Sequence, residues 1–352
     1  MAVRSRHIAQ TTTATAAGIA MLYFFRAILI PLVLAGVLAV LVNGLIQFVG
    51  GRSRRAPHWA VLIVAALIVI VSVVAAIQIV AQGMVQVVQQ VPALLARIDQ
   101  LVQQAGYALQ LREALTLQSL IGDVDVPRLV GRVAGSAGNL FSGLVLLVTF
   151  FGFIVAGRRR TSRKIEMLAG RTDPSASVEA DLRAMGAAVE TYVWIQTVTG
   201  LMIAIASSVM MLATGLDNVL FWTVVVFLLC YIPVIGSTAG SILPALFALL
   251  QFPTWWQAAV IFGGTQAAAT IVGNVIYPRM QAETQNIDPL TTLVALGFWS
   301  ILWGLAGAFL AVPLTLIGMM VCARVPHARW VAVLLSNDGN PTFPQSPSRG
   351  IE

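Results

Sequence analysis

Three uncharged polar residues, Gln266, Thr270 and Asn274, recur at four-residue spacing inside an otherwise apolar run. On an α-helix that spacing brings side chains to one face. In an apolar setting such a row can line a path for a hydroxylated ligand, or it can bond neighbouring helices at roughly 0.6 kcal/mol per contact. A second group, Gly236, Ser237 and Thr238, follows Tyr231-Ile232-Pro233-Val234-Ile235, which interrupts the uncharged stretch 219–250. A Pro-Gly break at membrane depth offers helix ends and backbone carbonyls to a ligand, whereas at the surface it is an ordinary loop between two spans. A third group is ionic. Arg279, Glu283 and Asp288 could gate a mouth or couple an ion, although the first two are four apart and can simply pair on a helix. Arg26 stands within an apolar run; a mid-membrane arginine is costly, but five residues before Pro31 it can snorkel.

Other chemistries find no support. His7, His58 and His327 lie in basic stretches without metal-ligand spacing, so no metal site is expected. Cys230 and Cys322 form no CxxC pair and no disulfide framework. The only lysine, Lys164, follows Arg163, so there is no phosphate-binding loop. No Gly-x-Ser-x-Gly or His-Glu-x-x-His motif occurs, and neither an enzyme nor a cofactor is expected.

The elements that must position these residues are membrane elements. Of 352 residues 58% are hydrophobic and 10% are charged, against about 25% charged in soluble domains. The net charge of +7 comes from arginines clustered between apolar runs, the pattern of membrane-flanking loops rather than of a nucleic-acid surface. The partner is the lipid bilayer. The fold class is an all-α polytopic membrane protein, with about eight transmembrane helices, broken or hairpin spans, and a polar amphipathic insert.

Along the chain, 1–15 reads as a cytoplasmic N-terminus and 16–80 as N-terminal transmembrane helices. Within the latter, the apolar run 16–49 is too long for one span of about 20 residues and predicts a helical hairpin, or two short spans, meeting around Pro31. Segment 81–139 is Gln-rich with apolar spacing of three and four, an extracytoplasmic amphipathic helical insert with Pro92 at a kink or start. Then come a transmembrane helix over 140–156 and a cytoplasmic basic segment over 157–190, with a helix start at Asp173-Pro174-Ser175. The C-terminal transmembrane core covers 191–322, with a turn at 214–218 and two tightly joined helices over 289–322. Residues 323–352 read as a cytoplasmic disordered tail. With both termini inside, every basic cluster falls on the cytoplasmic side of a bacterial inner membrane.

The second half resembles the autoinducer-2 exporter-like (AI-2E) family of bacterial permeases. The matching blocks are Tyr231 to Ser237, Gly273-Asn274-Val275-Ile276-Tyr277-Pro278-Arg279, Asn286-Ile287-Asp288-Pro289-Leu290, and Phe298-Trp299 through Trp303-Gly304, Gly307 and Ala311-Val312-Pro313-Leu314-Thr315. The chain departs from the pattern at Tyr277, where family members often carry Glu, and at Ala282 and Glu283, where a Gly and a basic residue are common. The resemblance implies a secondary transporter assembled as a homo-oligomer, a pentamer. Its substrate is a small polar molecule like autoinducer-2, or sodium (lithium) and protons in antiport. A carboxylate with water on both sides is what antiport requires, and Glu190, Asp217, Glu283 and Asp288 all sit at span ends. A non-transporting membrane scaffold is the remaining alternative. On the transporter reading Gly236, Ser237, Thr238, Gln266, Thr270 and Asn274 form the substrate path, and Arg279, Glu283, Asp288 and Arg26 serve as gate or ion-coupling groups.

Overall fold

In lipid every backbone N–H and C=O must be paired within the segment, so long apolar runs have little choice but helix. The computed structural model describes residues 13, 15–50, 58–108, 131, 142–157, 175–233, 235–281, 286–325 and 327–339, and among them every regular element is helical. These are α1 (Thr15–Phe24), α2 (Arg26–Gly50) and α3 (His58–Ala108), then α4 (Ser142–Gly157) and α5 (Ser175–Thr214). They continue with α6 (Val219–Cys230), α7 (Ile235–Gln251), α8 (Trp256–Ile271), a π turn (Val272–Ile276), α9 (Tyr277–Gln281), α10 (Pro289–Arg324) and α11 (Arg329–Leu335). Among the described residues five stretches are long and apolar enough to cross a membrane, Arg26–Ile46, Ala60–Gln90, Ala184–Thr214, Trp256–Met280 and Pro289–Arg324, the last by its total length before its bend at Gly304 is considered.

Prolines break less than the sequence suggests. The meeting point expected at Pro31 is absent, because α2 runs straight through that residue. The joint lies at Phe25 instead, and even there the Phe25 N–H donates to the Met21 carbonyl (2.9 Å) and the Leu29 N–H to the Phe25 carbonyl (2.9 Å). A proline removes one donor, and a membrane helix tolerates that locally. Pro92 likewise lies inside α3, so the span 59–80 and the first part of the Gln-rich segment are one helix of 51 residues. Helix α5 starts at Ser175 as the sequence predicts, but continues into the next span to Thr214. The tail is not wholly disordered: Arg329–Leu335 is helical, and Ala332 is fully buried. The basic cluster 158–164 and residues 340–352 lie outside the described residues.

The chain divides into two units, and the division falls inside α3 and α5 and at the margins of α4 and α9. The first comprises residues 1–70, 143–195 and 281–352. One of its cores gathers Val37 of α2, Tyr192 and Val193 of α5, Trp303, Leu310, Leu316 and Met319 of α10, and Ala332 of α11. A smaller one joins Ala35, Val42, Ala65 and Phe151. The second unit comprises 71–142 and 196–280. Its core runs from Ile203 and Met211 through Phe221, Trp222 and Val226 to Phe247, Ala248 and Ile261, with Ile79, Val80, Met84 and Val87 of α3 packed against it.

Each unit contains a helical hairpin. In the second, α6 and α7 are joined by the break at Tyr231–Pro233. The roots of its arms are stapled by Gln251, whose amide oxygen accepts from the Asp217 N–H (2.9 Å) and whose amide N–H donates to the Gly215 carbonyl (3.3 Å). In the first, α10 turns at Gly304 (φ 63°, ψ −141°), a backbone conformation open essentially to glycine alone. The Trp299 indole N–H reaches the Thr315 hydroxyl at 3.2 Å. Sixteen residues of straight helix would separate them by about 24 Å, so the two arms fold back on one another. This bears out the two tightly joined helices read from the sequence.

Candidate functional site

The second unit carries a seam of neutral polar groups through its apolar core. Ser207 of α5 and Thr265 of α8, both fully buried, share a hydroxyl–hydroxyl hydrogen bond of 2.9 Å. One residue along α8, Gln266 reaches α7: the buried Ser241 hydroxyl lies 3.0 Å from its amide oxygen and 2.8 Å from the Thr238 carbonyl. One hydroxyl proton serves only one of these acceptors. Turned about, the amide donates to Ser241 while Ser241 donates to Thr238, and all three groups are satisfied.

The hairpin tip is tied to α5 by two further side chains. At the end of a helix the last carbonyls lose their in-helix donors. The Tyr231 and Ile232 N–H groups return to the Leu228 and Leu229 carbonyls (3.2 and 2.8 Å), and the Gln196 amide donates to the Cys230 carbonyl. Beside it Thr197 Oγ1 meets the Tyr231 hydroxyl at 2.6 Å. The carbonyls of Leu228, Leu229, Ile232 and Pro233 thus accept from backbone N–H groups, and that of Cys230 accepts from a side chain of α5. Gly236 makes the return possible, since a Cβ there would lie 1.8 Å from the Leu229 carbonyl oxygen.

The residues singled out from the sequence fare differently. Gly236 is buried, Ser237 half-buried and Thr238 exposed at the start of α7. Gln266 and Thr270 share a face of α8, and Asn274 lies within the π turn that follows. The π turn at Val272–Ile276 inserts its extra residue between Thr270 and the end of the span, rotating the downstream residues by about 100°. Gln266 joins the seam, the Thr270 hydroxyl folds back onto the Gln266 carbonyl (2.8 Å), and Asn274 is exposed. Ser207, Thr265, Ser241, Gln196 and Thr197 were not singled out from the sequence; their only signal is a small or amide side chain in an apolar run.

The ionic residues fall in different units. Arg279 is exposed in the second unit, while Asp288 belongs to the first. Glu283, and with it the expected pairing with Arg279, lies outside the described residues. Arg26 begins α2 and its guanidinium stacks over the Tyr23 ring, 4.5 Å from the centroid. Asp288 caps α10: its carboxylate accepts from the Leu290 and Thr291 N–H groups at 2.9 and 3.2 Å, and its own N–H donates to the Leu335 carbonyl. Loss of the cap in Asp288→Ala should cost about 1 kcal/mol in thermal unfolding. Asp288→Asn should keep the cap, so a transport defect confined to Asn would identify a use for the charge itself. Among the described residues no cluster of His, Cys, Asp and Glu could hold a metal ion.

Comparison with known proteins agrees with this architecture. A chain of Haemophilus influenzae bearing a general transport-protein name is 26% identical over 322 residues, covering 88% of this chain and 90% of its own. The AI-2 transport protein TqsA of Escherichia coli K12 is 23% identical over 321 residues, 89% of this chain and 91% of that one. The transport-protein relative YhhT of the same organism is 21% identical over 313 residues, 88% of each chain. The profile of the AI-2E family transporters matches residues 13–326. With apolar helices long enough to span, broken hairpins and a neutral polar seam under that profile, this inner-membrane protein belongs to the AI-2E transporter family.

Proposed function

We propose that the protein exports a small, uncharged, hydroxylated molecule of the autoinducer-2 kind, and that the seam of the second unit is where it is recognised. The observation that carries this is the chemistry of the seam: hydroxyls and a carboxamide from Ser207, Thr265, Ser241 and Gln266, with no ionised side chain among them. Such groups both donate and accept, so a polyol can replace their mutual hydrogen bonds one for one. A charged substrate would be left uncompensated at that depth. TqsA, named for AI-2 transport, supports this substrate class.

Autoinducer-2 flux into inverted proteoliposomes tests the reading. Gln266→Leu should reduce flux at least tenfold, and Ser241→Ala less so. Sodium-driven proton movement without autoinducer-2 flux would instead establish antiport, and no flux of either kind would leave the scaffold reading. On the same proposal the basic residues 158–164, Arg324 and Arg329 face the cytoplasm, as clusters of arginine beside spans do. A cysteine at position 327 that reacts with an impermeant maleimide only from outside would reject that placement.

A further inference from the structure

The two hairpins are built to one plan, and the plan is not visible as sequence identity. In each, a glycine early in the second arm presses on a carbonyl of the first: a Cβ on Gly236 would lie 1.8 Å from the Leu229 oxygen, and one on Gly307 would lie 1.8 Å from the Trp299 oxygen. In each, the second arm carries a fully buried proline, Pro244 or Pro313. In each, an aromatic residue at the end of the first arm hydrogen-bonds to another helix of its unit: Tyr231 to Thr197 (2.6 Å), and the Trp303 indole N–H to the Leu22 carbonyl (3.1 Å). In each, at least one arm is too short to cross the hydrocarbon. Helix α6 has 12 residues, roughly 18 Å, and the arm 289–303 is about 22 Å long, against a core of about 30 Å. Neither hairpin is therefore a pair of full-length spans.

The plan is shared but the lining is not. The first hairpin continues from its tip into Gly236, Ser237, Thr238 and Ser241; the second continues into Leu305, Ala306 and Ala308. Ile301 and Leu305 beside the second tip are 85% and 74% exposed. The two are braced differently: Gln251 ties the roots of the first, whereas across the arms of the second Trp299 donates to Thr315 Oγ1, and the Thr315 proton is already given to the Ala311 carbonyl at 2.7 Å. The hydroxyl thus has its lone pairs free to accept the indole N–H, and the bond has one direction.

We propose that the hairpin of α10 is the apolar counterpart of the α6–α7 hairpin, a seal that excludes water and solutes, and that Trp299 and Thr315 are the positioning residues that hold it closed. This rests on the protein being a transporter, but not on which molecule it carries. The test is passive leak: efflux of glycerol and of protons from proteoliposomes holding the full chain, without autoinducer-2. Trp299→Phe keeps an aromatic ring beside Phe298 and Trp303 and removes the N–H together with part of the indole's volume, a loss for which Val312→Ala is the control; Thr315→Val keeps the shape and removes the acceptor. Each should raise leak several-fold, and the double variant should leak no more than either single variant, because all three lack the same bond. Val312→Ala, which removes buried volume from the same arm without touching the brace, should leave leak unchanged. Leak at the wild-type level in the Trp299 and Thr315 variants, or an equal rise in Val312→Ala, would overturn the proposal. Raised leak in a protein that moves no autoinducer-2 would keep the seal and reject the substrate; autoinducer-2 flux with unaltered leak would do the reverse.

Discussion

Gly307→Ala is expected to unfold the α10 hairpin, and Gly236→Ala the α6–α7 hairpin, each at a cost of about 3 kcal/mol or more, the upper end of overpacking penalties. In both positions the added methyl would meet a backbone carbonyl oxygen at 1.8 Å, and a carbonyl fixed within a helix cannot swing aside as a side-chain tip can. Either the arms part or the first arm shifts by more than an ångström. Three glycines of α10 separate the causes. Gly318→Ala, helical and with nothing near the new atom, should stabilise by about 0.5–1 kcal/mol through helix propensity alone. Gly304→Ala also meets no atom, yet its φ of 63° should cost about 1–3 kcal/mol in backbone strain. Gly307→Ala should exceed both. Thermal unfolding of the purified protein in one detergent would read all of them, and a Gly307→Ala variant as stable as the parent would contradict this packing of the arms.

Ser207→Ala and Thr265→Val are expected to lose about 1–3 kcal/mol each, since either strands a buried hydroxyl whose partner is gone. Both residues are fully buried and 58 positions apart, and their 2.9 Å bond links α5 to α8 across the core of the second unit. The double variant should cost less than the sum of the singles, with a coupling of roughly 0.5–3 kcal/mol, because with both hydroxyls absent nothing polar is stranded. Additive losses would mean that the two hydroxyls do not depend on each other. If the pair also contacts substrate, the double variant will fold well and transport poorly, which separates stability from recognition.

Much of the architecture was legible because a few residue types restrict the backbone strongly. The turn at 214–218 follows from Gly215 (φ 74°) and Asn218 (φ 57°); the break at 231–237 from Pro233 and Gly236; and the bend of the last span from a run too long to cross once. Pro31 misled for the converse reason, since a proline withdraws a single hydrogen bond and the surrounding helix α2 absorbs the loss. The candidate site was only partly legible. Gln266 stood out as an amide in an apolar run, but its partner Ser241 is fixed by how α7 lies on α8, and pairings between helices far apart in sequence leave no periodic trace. The π turn was invisible as well, because no residue type encodes it.

That π turn has a consequence for how the end of the span is aimed. A helix that absorbs one additional residue keeps its hydrogen bonding but changes phase, and everything downstream is turned without any side chain being altered. The five residues Val272–Ile276 therefore act as a phase offset for Tyr277 and Arg279. Deleting Gly273, where an added Cβ would meet nothing within 4 Å, would restore an ordinary helix and swing both residues by about 100°. The direction in which the charged end of this span points is set by a count of residues, so in this stretch length matters more than identity.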